Sequence, residues 1–278
     1  MKGPVTLTTD FGLRDATAAM LKGYLLRHNA GVPLIDISHD ISPYLIDEAA
    51  FVLGQALPCF PDESLHLALV HDHRTPLTEL VAARLERKWV VAPNNGLISL
   101  LPCGDPPEHW GLLPLDASHP GRIQGQPLFR LLAETVADLL ANRKPARWIP
   151  GTATSDFARV QTLNPASEAE GRVLSGHVVY IDRFGNLVTN LHRDRIVEQA
   201  QGRSMRIELP RNHRIVRISN TYDDAAEGKL LALYNDSGWL EIALSRSKGS
   251  DENGAGRLLG ISLRDRVDIH FIDPTPLR

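Results

Sequence analysis

Four stretches of the 278-residue sequence gather titratable, amide and glycine residues just after short apolar runs, where strands end and folds of strands and helices place their chemistry. The first is Thr8-Thr9-Asp10-Phe11-Gly12. A carboxylate there can accept two hydrogen bonds from a ribose diol while Gly12 lets the main chain approach a ligand; the same residues also suit a helix cap and a tight turn. No G-x-G-x-x-G follows, so a pyrophosphate cradle is not indicated. The second runs from Asp36 to Tyr44. Its His39, flanked by carboxylates, can titrate near neutrality or simply be satisfied by loop hydrogen bonds. Tyr44, behind Pro43, can offer a flat ring to an aromatic ligand or a neighbouring subunit, or serve ordinary packing. The third is His71-Asp72-His73-Arg74, whose composition fits a proton-transfer site or a metal site. In an extended strand His71 and His73 share one side, as a metal requires, but no third ligand is near and Arg74 opposes a dication. No metal is therefore expected. The fourth is Tyr180-Ile181-Asp182-Arg183-Phe184-Gly185-Asn186 followed by Leu187 to Asn190. Here Asp182 can take an ammonium and the Asn186 amide can read the edge of a base, unless the stretch is only a hairpin with Asn-rich turn chemistry. The sequence contains no G-x-S-x-G elbow, P-loop or H-E-x-x-H.

The elements that must position these groups differ between the two halves. Val5 to Thr9, Leu34 to Ile37, Leu65 to Val70, Leu80 to Leu85 and Trp89 to Ala92 read as strands. Asp15 to His28, Leu45 to Leu57 and Pro127 to Asn142 carry apolar residues at helical spacing, with Asp10 or Asp15 available to cap the first. This rhythm predicts an α/β domain over residues 1–165 with a mostly parallel sheet. Thr152 to Gly171 loses periodicity and reads as a connector. Beyond it, seven short strand-like runs between Val173 and Ile272, separated by Gly, Asn and Asp turns, predict an all-β barrel-like or sandwich domain over residues 172–278. Ser247 to Arg257 reads as a hairpin tip, and no long helix is expected in this half.

Thirty basic against 33 acidic residues, a net charge of -3, give no field for gathering polyanions, so nucleic acid is not an expected partner. No run of about 18 apolar residues and no leader-like N-terminus occur, so neither a membrane nor export is expected and the default location is cytoplasmic. Cys59 and Cys103 are too few for a disulfide framework and read as buried small apolar residues.

A set of motifs, in order over nearly the whole chain, carries a resemblance. These are Leu7 to Gly12, Lys22-Gly23, Asp36 to His39, Phe60-Pro61, Leu65 to Ala68, Ala92-Pro93-Asn94-Asn95-Gly96-Leu97, Tyr180 to Asn190, and Asn235-Asp236-Ser237-Gly238-Trp239-Leu240-Glu241-Ile242-Ala243. In these the sequence resembles the adenosine-forming S-adenosylmethionine (SAM) hydrolases, also called SAM hydroxide adenosyltransferases, a family homologous to the SAM-dependent fluorinase and chlorinase. The resemblance implies an N-terminal α/β domain and a C-terminal β-barrel domain. It also implies a homotrimer in which SAM lies between the first domain of one subunit and the second of the next. By position it gives Asp10 the ribose hydroxyls, sets Asp15 nearby and puts Tyr44 over the nucleoside. It gives Asp182 the methionine ammonium, lines the adenine with Phe184 and Asn186, sets Asp236 and Ser237 at the methionine carboxylate, and makes Ala243 the backbone edge that meets adenine. An acidic Asp236 weakens carboxylate binding at that point.

The reaction so implied is displacement at the ribose 5′ carbon by water or hydroxide, with methionine leaving and SAM as substrate, no cofactor being needed. The sulfonium already activates the leaving group, so the protein has to align and desolvate the nucleophile. The family positions its water with an Asp-Arg-His triad, drawn from V-V-D-P-G-V-G-T-x-R and H-G-R-D stretches. This chain departs there: His71 occupies the aspartate position, Thr78 the arginine position, and only His119-Pro120-Gly121-Arg122 survives of the second stretch. A shifted register would give Asp72, Arg74 and His119 the equivalent roles. No hydroxyl-rich halide loop is present, so halogenation is not expected. Two readings follow: a divergent SAM hydrolase in which His71, Asp72, Arg74 or His119 orients water, or a SAM- or adenosine-binding sensor without turnover. A metal-dependent hydrolase using His71 and His73 is a third.

Overall fold

The computed structural model describes residues 3–71, 77–101, 107, 109–115, 125–151, 156–160, 164–245 and 254–273. Asp72, His73, Arg74, Cys103 and His119 lie outside the described residues. The chain divides into two compact units, Met1–Gln161 and Thr162–Arg278.

The first unit is built on a mixed seven-stranded sheet. Its strands are β1 (Val5–Thr9), β2 (Leu34–Ser38), β3 (Leu65–Leu69), β4 (Glu79–Leu85), β5 (Lys88–Pro93), β6 (His109–Pro114) and β7 (Ile149–Pro150), in the order β2-β1-β3-β5-β4-β6-β7. β2, β1, β3 and β5 run parallel, whereas β4, β6 and β7 join by antiparallel ladders. The tight turn after β4 returns the chain beside it as β5, so the parallel character is confined to one side. The mixed sheet is thus less parallel than the strand and helix rhythm implied. That rhythm contained no sign of β6 or β7, which are added from the far side. β1 and β3 are buried along their whole length, as strands covered on both faces must be.

Three helices cover this sheet: α1 (Thr17–His28), α2 (Ile46–Ala56) and α3 (Gln126–Leu140). Leu21 and Leu25 of α1 and Leu128, Phe129, Leu132 and Val136 of α3 pack with Val5, Leu7, Leu65 and Leu67 on one face. Ala49, Ala50 and Leu53 of α2 pack with Ala68, Val81, Val90 and Ala92 on the other. Along β3 the side chains alternate between the two buried layers, Leu65, Leu67 and Leu69 entering one and Ala68 the other, as a pleated strand requires.

The second unit is a nearly closed antiparallel sheet. Its strands are β8 (Ala166–Glu168), β9 (Val173–Ile181), β10 (Leu187–His192), β11 (Ser204–Leu209), β12 (His213–Ile215), β13 (Leu230–Tyr234), β14 (Trp239–Leu244) and β15 (Arg266–Ile272). The path runs β12-β11-β15-β9-β10-β14-β13, with β8 on the outer part of β9. An isolated bridge from Ile218 to Ala232 of β13, with the Ser219 N–H donating to the Ala232 carbonyl at 2.7 Å, draws the two ends of that path together. The interior holds Leu174, Val178, Leu187, Leu191, Ile207, Ile242, Val267 and Ile269.

Several expectations need correcting. An eight-residue helix, α4 (Arg193–Ala200), follows β10 with Ile196 and Ala200 buried, and a short α5 (Ala255–Leu259) occupies the end of the expected hairpin tip. β8 lies inside the stretch that read as a connector. Cys59 is exposed rather than buried, because it ends the turn that closes α2. Among the described residues no helix is long and apolar enough to cross a membrane.

Asn94, just after β5, makes contacts that only an amide can make. Its Nδ2 donates to Glu79 Oε1 at 2.7 Å and to the Asp156 carbonyl at 2.8 Å, while its Oδ1 accepts from the Ala158 N–H at 2.9 Å. An aspartate has no hydrogen to donate. Asn94→Asp should therefore lower stability by about 1 to 3 kcal/mol, the cost of leaving partly buried acceptors facing a carboxylate, and adding Glu79→Gln should recover part of the loss. Urea unfolding of the single and double variants checks this; a double variant no more stable than the single would refute it.

Candidate functional site

In the first unit, the carboxyl ends of β1, β2 and β3 deliver Asp10, His39 and His71 to the same edge of the sheet. The main chain binds the first two loops together: the Gly12 N–H donates to the His39 carbonyl at 2.7 Å and the Ile41 N–H to the Thr9 carbonyl at 3.3 Å. His39 is buried with Nδ1 2.8 Å from Thr9 Oγ1 and Nε2 3.1 Å from Asp36 Oδ1. Asp36 also accepts from Lys22 Nζ at 2.6 Å. Burial acts to raise the Asp36 carboxyl, but the Lys22 hydrogen bond and the charges of His39 and Lys22 outweigh it and hold it low. His39 is accordingly a structural histidine that ties two loops, the blander of its two readings.

Asp10 is the carboxylate this frame presents. Its Oδ2 accepts the Tyr44 N–H at 3.0 Å, which fixes Tyr44 with φ 67, a left-handed conformation costly for a tyrosine. The ring beyond that backbone is 54% exposed. Burial pushes the Asp10 carboxyl up, opposed by the Tyr44 amide, by its own amide and by the charge of His71. Asp10, Tyr44 and His71 therefore form one neighbourhood. Asp15 stands apart as a helix cap: it is exposed and its Oδ1 accepts the Thr17 N–H at 2.8 Å, which holds its carboxyl low. Asn95 braces the main chain just after β3, its Nδ2 donating to the Val70 carbonyl at 3.0 Å.

In the second unit the turn between β9 and β10 is organised around Asp182. Oδ1 accepts the Phe184 and Asn186 N–H groups, both at 2.8 Å, and Oδ2 accepts Asn186 Nδ2 at 3.0 Å. Gly185 sits at φ 75, and a Cβ there would stand 2.6 Å from the Gly254 Cα, so only glycine fits. Phe184 projects from the turn, 56% exposed. Across the sheet lies Glu241 of β14, opposite Val188 in the ladder and only 4% exposed. Its Oε1 accepts the Tyr222 hydroxyl at 2.6 Å. Burial raises the Glu241 carboxyl; hydrogen bonds from Tyr222 and Asn186 oppose this, and the charges of Asp182 and Asp236 add to it. Burial likewise keeps the Tyr222 hydroxyl protonated, reinforced by the hydrogen bond to Glu241.

The second unit thus brings Asp182 and Asn186 together, with Phe184 on the same turn, whereas the turn holding Asp236 and Ser237 lies beside His192 at the other end of the ladder between β10 and β14. Asp236 and Ser237 are exposed in the turn before β14, where Asn235 Oδ1 accepts the Ser237 and Trp239 N–H groups at 3.1 and 3.0 Å. The Ala243 side chain is buried against Leu231 and Leu233, and the ladder with β10 begins one residue earlier, at Ile242. Glu241 and Tyr222 were not singled out from the sequence. The available signal was a glutamate inside the apolar run Leu240-Glu241-Ile242-Ala243, where an unpartnered charge would be too costly to bury. Among the described residues no group of three or more His, Cys, Asp or Glu side chains could hold a metal ion.

Models of the two domains of the SAM hydroxide adenosyltransferases match residues 5–143 and 176–268. The chain belongs to this family. A relative named (R)-S-adenosyl-L-methionine hydrolase from Thermus thermophilus is 30% identical, over 94% of this chain and 98% of its own length. One of the same name from Methanocaldococcus jannaschii is 28% identical over 96% and 95%. A more distant relative from Actinoplanes, named fluorinase, is 25% identical over 86% and 90%. Among solved structures, an uncharacterized conserved protein from Thermotoga maritima superposes with a TM-score of 0.76 at 22% identity over 96% of this chain and 99% of that one, a likeness of fold. Both matched domains lie on this chain, and each carries one of the two side-chain clusters.

Proposed function

We propose that this protein is a SAM hydrolase that releases adenosine and L-methionine. The observation that carries the reading is the presence, on one chain of this family, of the Asp10, Tyr44 and His71 neighbourhood in the first unit and of the Asp182 and Asn186 turn in the second. In this reading Asp10 binds the ribose hydroxyls and Tyr44 covers the nucleoside. Asp182 takes the methionine ammonium with the lone pair of Oδ2 left by Asn186, Phe184 flanks adenine, and Asp236, Ser237 and the Ala243 main chain complete the methionine and adenine contacts. Asp15 acts from nearby by capping the helix behind Asp10. SAM is the substrate and no cofactor takes part.

The oxygen of water forms a bond to the ribose 5′ carbon as the bond from that carbon to sulfur breaks. The electron pair goes to sulfur, giving neutral methionine, and the water proton leaves to a base. His71, at the strand end next to that of Asp10, is our candidate to orient the water and receive that proton, with Asp72 and Arg74 from the same stretch and His119 from a separate one as its partners. The domains over 1–165 and 172–278, paired between subunits of a homotrimer in the cytoplasm, complete the reading. Sedimentation at three times the chain mass tests the assembly.

Incubation of the purified protein with SAM in 18O-labelled water should yield methionine and adenosine labelled at the 5′ oxygen. His71→Ala should reduce turnover about 100-fold or more with SAM binding retained, the usual range for loss of a positioned acid or base. SAM bound without release of adenosine would replace this reading with that of a SAM or adenosine sensor.

A further inference from the structure

At the amino ends of β3 and β5, the edge of the first sheet opposite the one that presents Asp10, His39 and His71, lies a cleft of about 680 Å³. That volume is in the range of small-molecule sites. Glu63, Arg84, Trp89, Leu139 and Leu140 are among its lining residues. Arg84 and Trp89 face each other across the ladder of β4 and β5, and the Glu63 N–H donates to the Arg87 carbonyl at 2.8 Å. The entry to β3 is thereby tied to the turn between β4 and β5. Arg84 Nη2 donates to Glu63 Oε1 at 3.1 Å, and Arg87 Nη2 reaches the same oxygen at 3.4 Å. Among the described residues nothing donates to Glu63 Oε2, and Arg84 Nε and Nη1 have no acceptor. Arg87 Nε also pairs with Asp62 at 3.0 Å, so two guanidinium groups meet two carboxylates and their charges balance. Such a site draws in neither a simple anion nor a simple cation, whereas a molecule carrying both signs satisfies both spare ends.

The rest of the wall is apolar. The Arg84 guanidinium lies 5.9 Å from the centre of the Trp89 ring, and Trp89 packs in the same layer as Leu139 and Leu140. These two leucines end the 15-residue α3, whose carbonyl end adds partial negative charge suited to an ammonium. The Trp89 Nε1–H is buried without an acceptor, which native folds seldom leave unanswered. We propose that this cleft binds a free α-amino acid with a large apolar side chain, its carboxylate on Arg84, its ammonium on Glu63 Oε2 and its side chain against Trp89, Leu139 and Leu140. The bound carboxylate also brings an acceptor to the wall that holds the Trp89 N–H. The site is separate from the nucleoside reading and does not depend on it; L-methionine, the product in that reading, is one member of the class.

The test is 19F NMR of the intact protein with its four tryptophans replaced by 5-fluorotryptophan, the Trp89 signal being assigned by its loss in Trp89→Phe. Titration with L-leucine should shift that signal with half-saturation at about 1 mM or below. 4-Methylpentanoate and 3-methylbutylamine keep the leucine side chain with one charge each, and glycine keeps both charges without the side chain. Each should bind about tenfold more weakly than leucine, or worse. Arg84→Met should weaken leucine binding about tenfold or more. A Trp89 signal unmoved by leucine, or moved equally by the singly charged analogues, overturns the proposal, and neither outcome depends on how well the Arg84 variant folds. Leucine binding unchanged in Arg84→Met overturns it as well. Because the signal belongs to Trp89, a ligand held at the Asp182 turn does not imitate the result. A protein that binds leucine here but releases no adenosine from SAM would reject the hydrolase reading alone.

Discussion

Asp182→Ala should weaken SAM binding by about 2 to 5 kcal/mol, roughly thirty-fold to several thousand-fold in Kd, because in the proposed reading the ligand's ammonium loses its carboxylate partner. The same carboxylate accepts three hydrogen bonds within its own turn, so the substitution also loosens Phe184 and Asn186. Adenosine separates the two effects. It has no ammonium, so a direct contact predicts a much larger loss for SAM than for adenosine, while an effect through the turn predicts similar losses. Titrations of the variant with both ligands decide; equal losses would remove Asp182 from contact with the amino acid.

The protein should lose about 2 kcal/mol of stability between pH 7.5 and pH 5 through His66 alone. His66 is buried in β3 with Nδ1 2.7 Å from Thr6 Oγ1 and Nε2 2.8 Å from Ser64 Oγ. Burial first, and then the charge of Lys88, lower its pKa from 6.5 to about 4. The folded state therefore refuses a proton that the unfolded chain accepts. The stabilisation is fully present above pH 6.5 and is lost progressively as the pH falls towards 4. Two hydroxyls can serve a neutral ring, one accepting and one donating, but a charged ring needs two acceptors and no carboxylate is among its partners. Urea unfolding at a series of pH values should show this slope in wild type and a much shallower one in His66→Gln. Parallel slopes would mean that His66 does not titrate differently in the two states.

How far the candidate site could be read from the sequence differs from residue to residue. Asp10, Tyr44, Asp182 and Asn186 stood out as carboxylate, aromatic or amide residues close to glycine or proline directly after an apolar run, where turn chemistry and a ligand site look alike. His39 stood out for the same reason and proved to be a tie between loops. The sequence left both outcomes open, since Asp36 lies in the same stretch but the Thr9 hydroxyl that completes the ring's contacts comes from another. Asp15 and Asp10 were equivalent as helix caps until the Asp15 contact with the Thr17 amide and the Asp10 contact with the Tyr44 amide separated them. Glu241 and Tyr222 are 19 residues apart and meet only because the barrel folds the segment before β13 over β14.

The sequence by itself determined the two-part construction, the positions of most strands and helices, and the family, because apolar periodicity and local turn chemistry act within a few residues. Only the tertiary structure decided the antiparallel side of the first sheet, the closing of the second, and the meeting of the Tyr222 hydroxyl with the buried Glu241 carboxylate. Ladders and buried polar contacts join residues far apart in the chain, and the free energy of such a contact depends on what surrounds it, which no local pattern encodes.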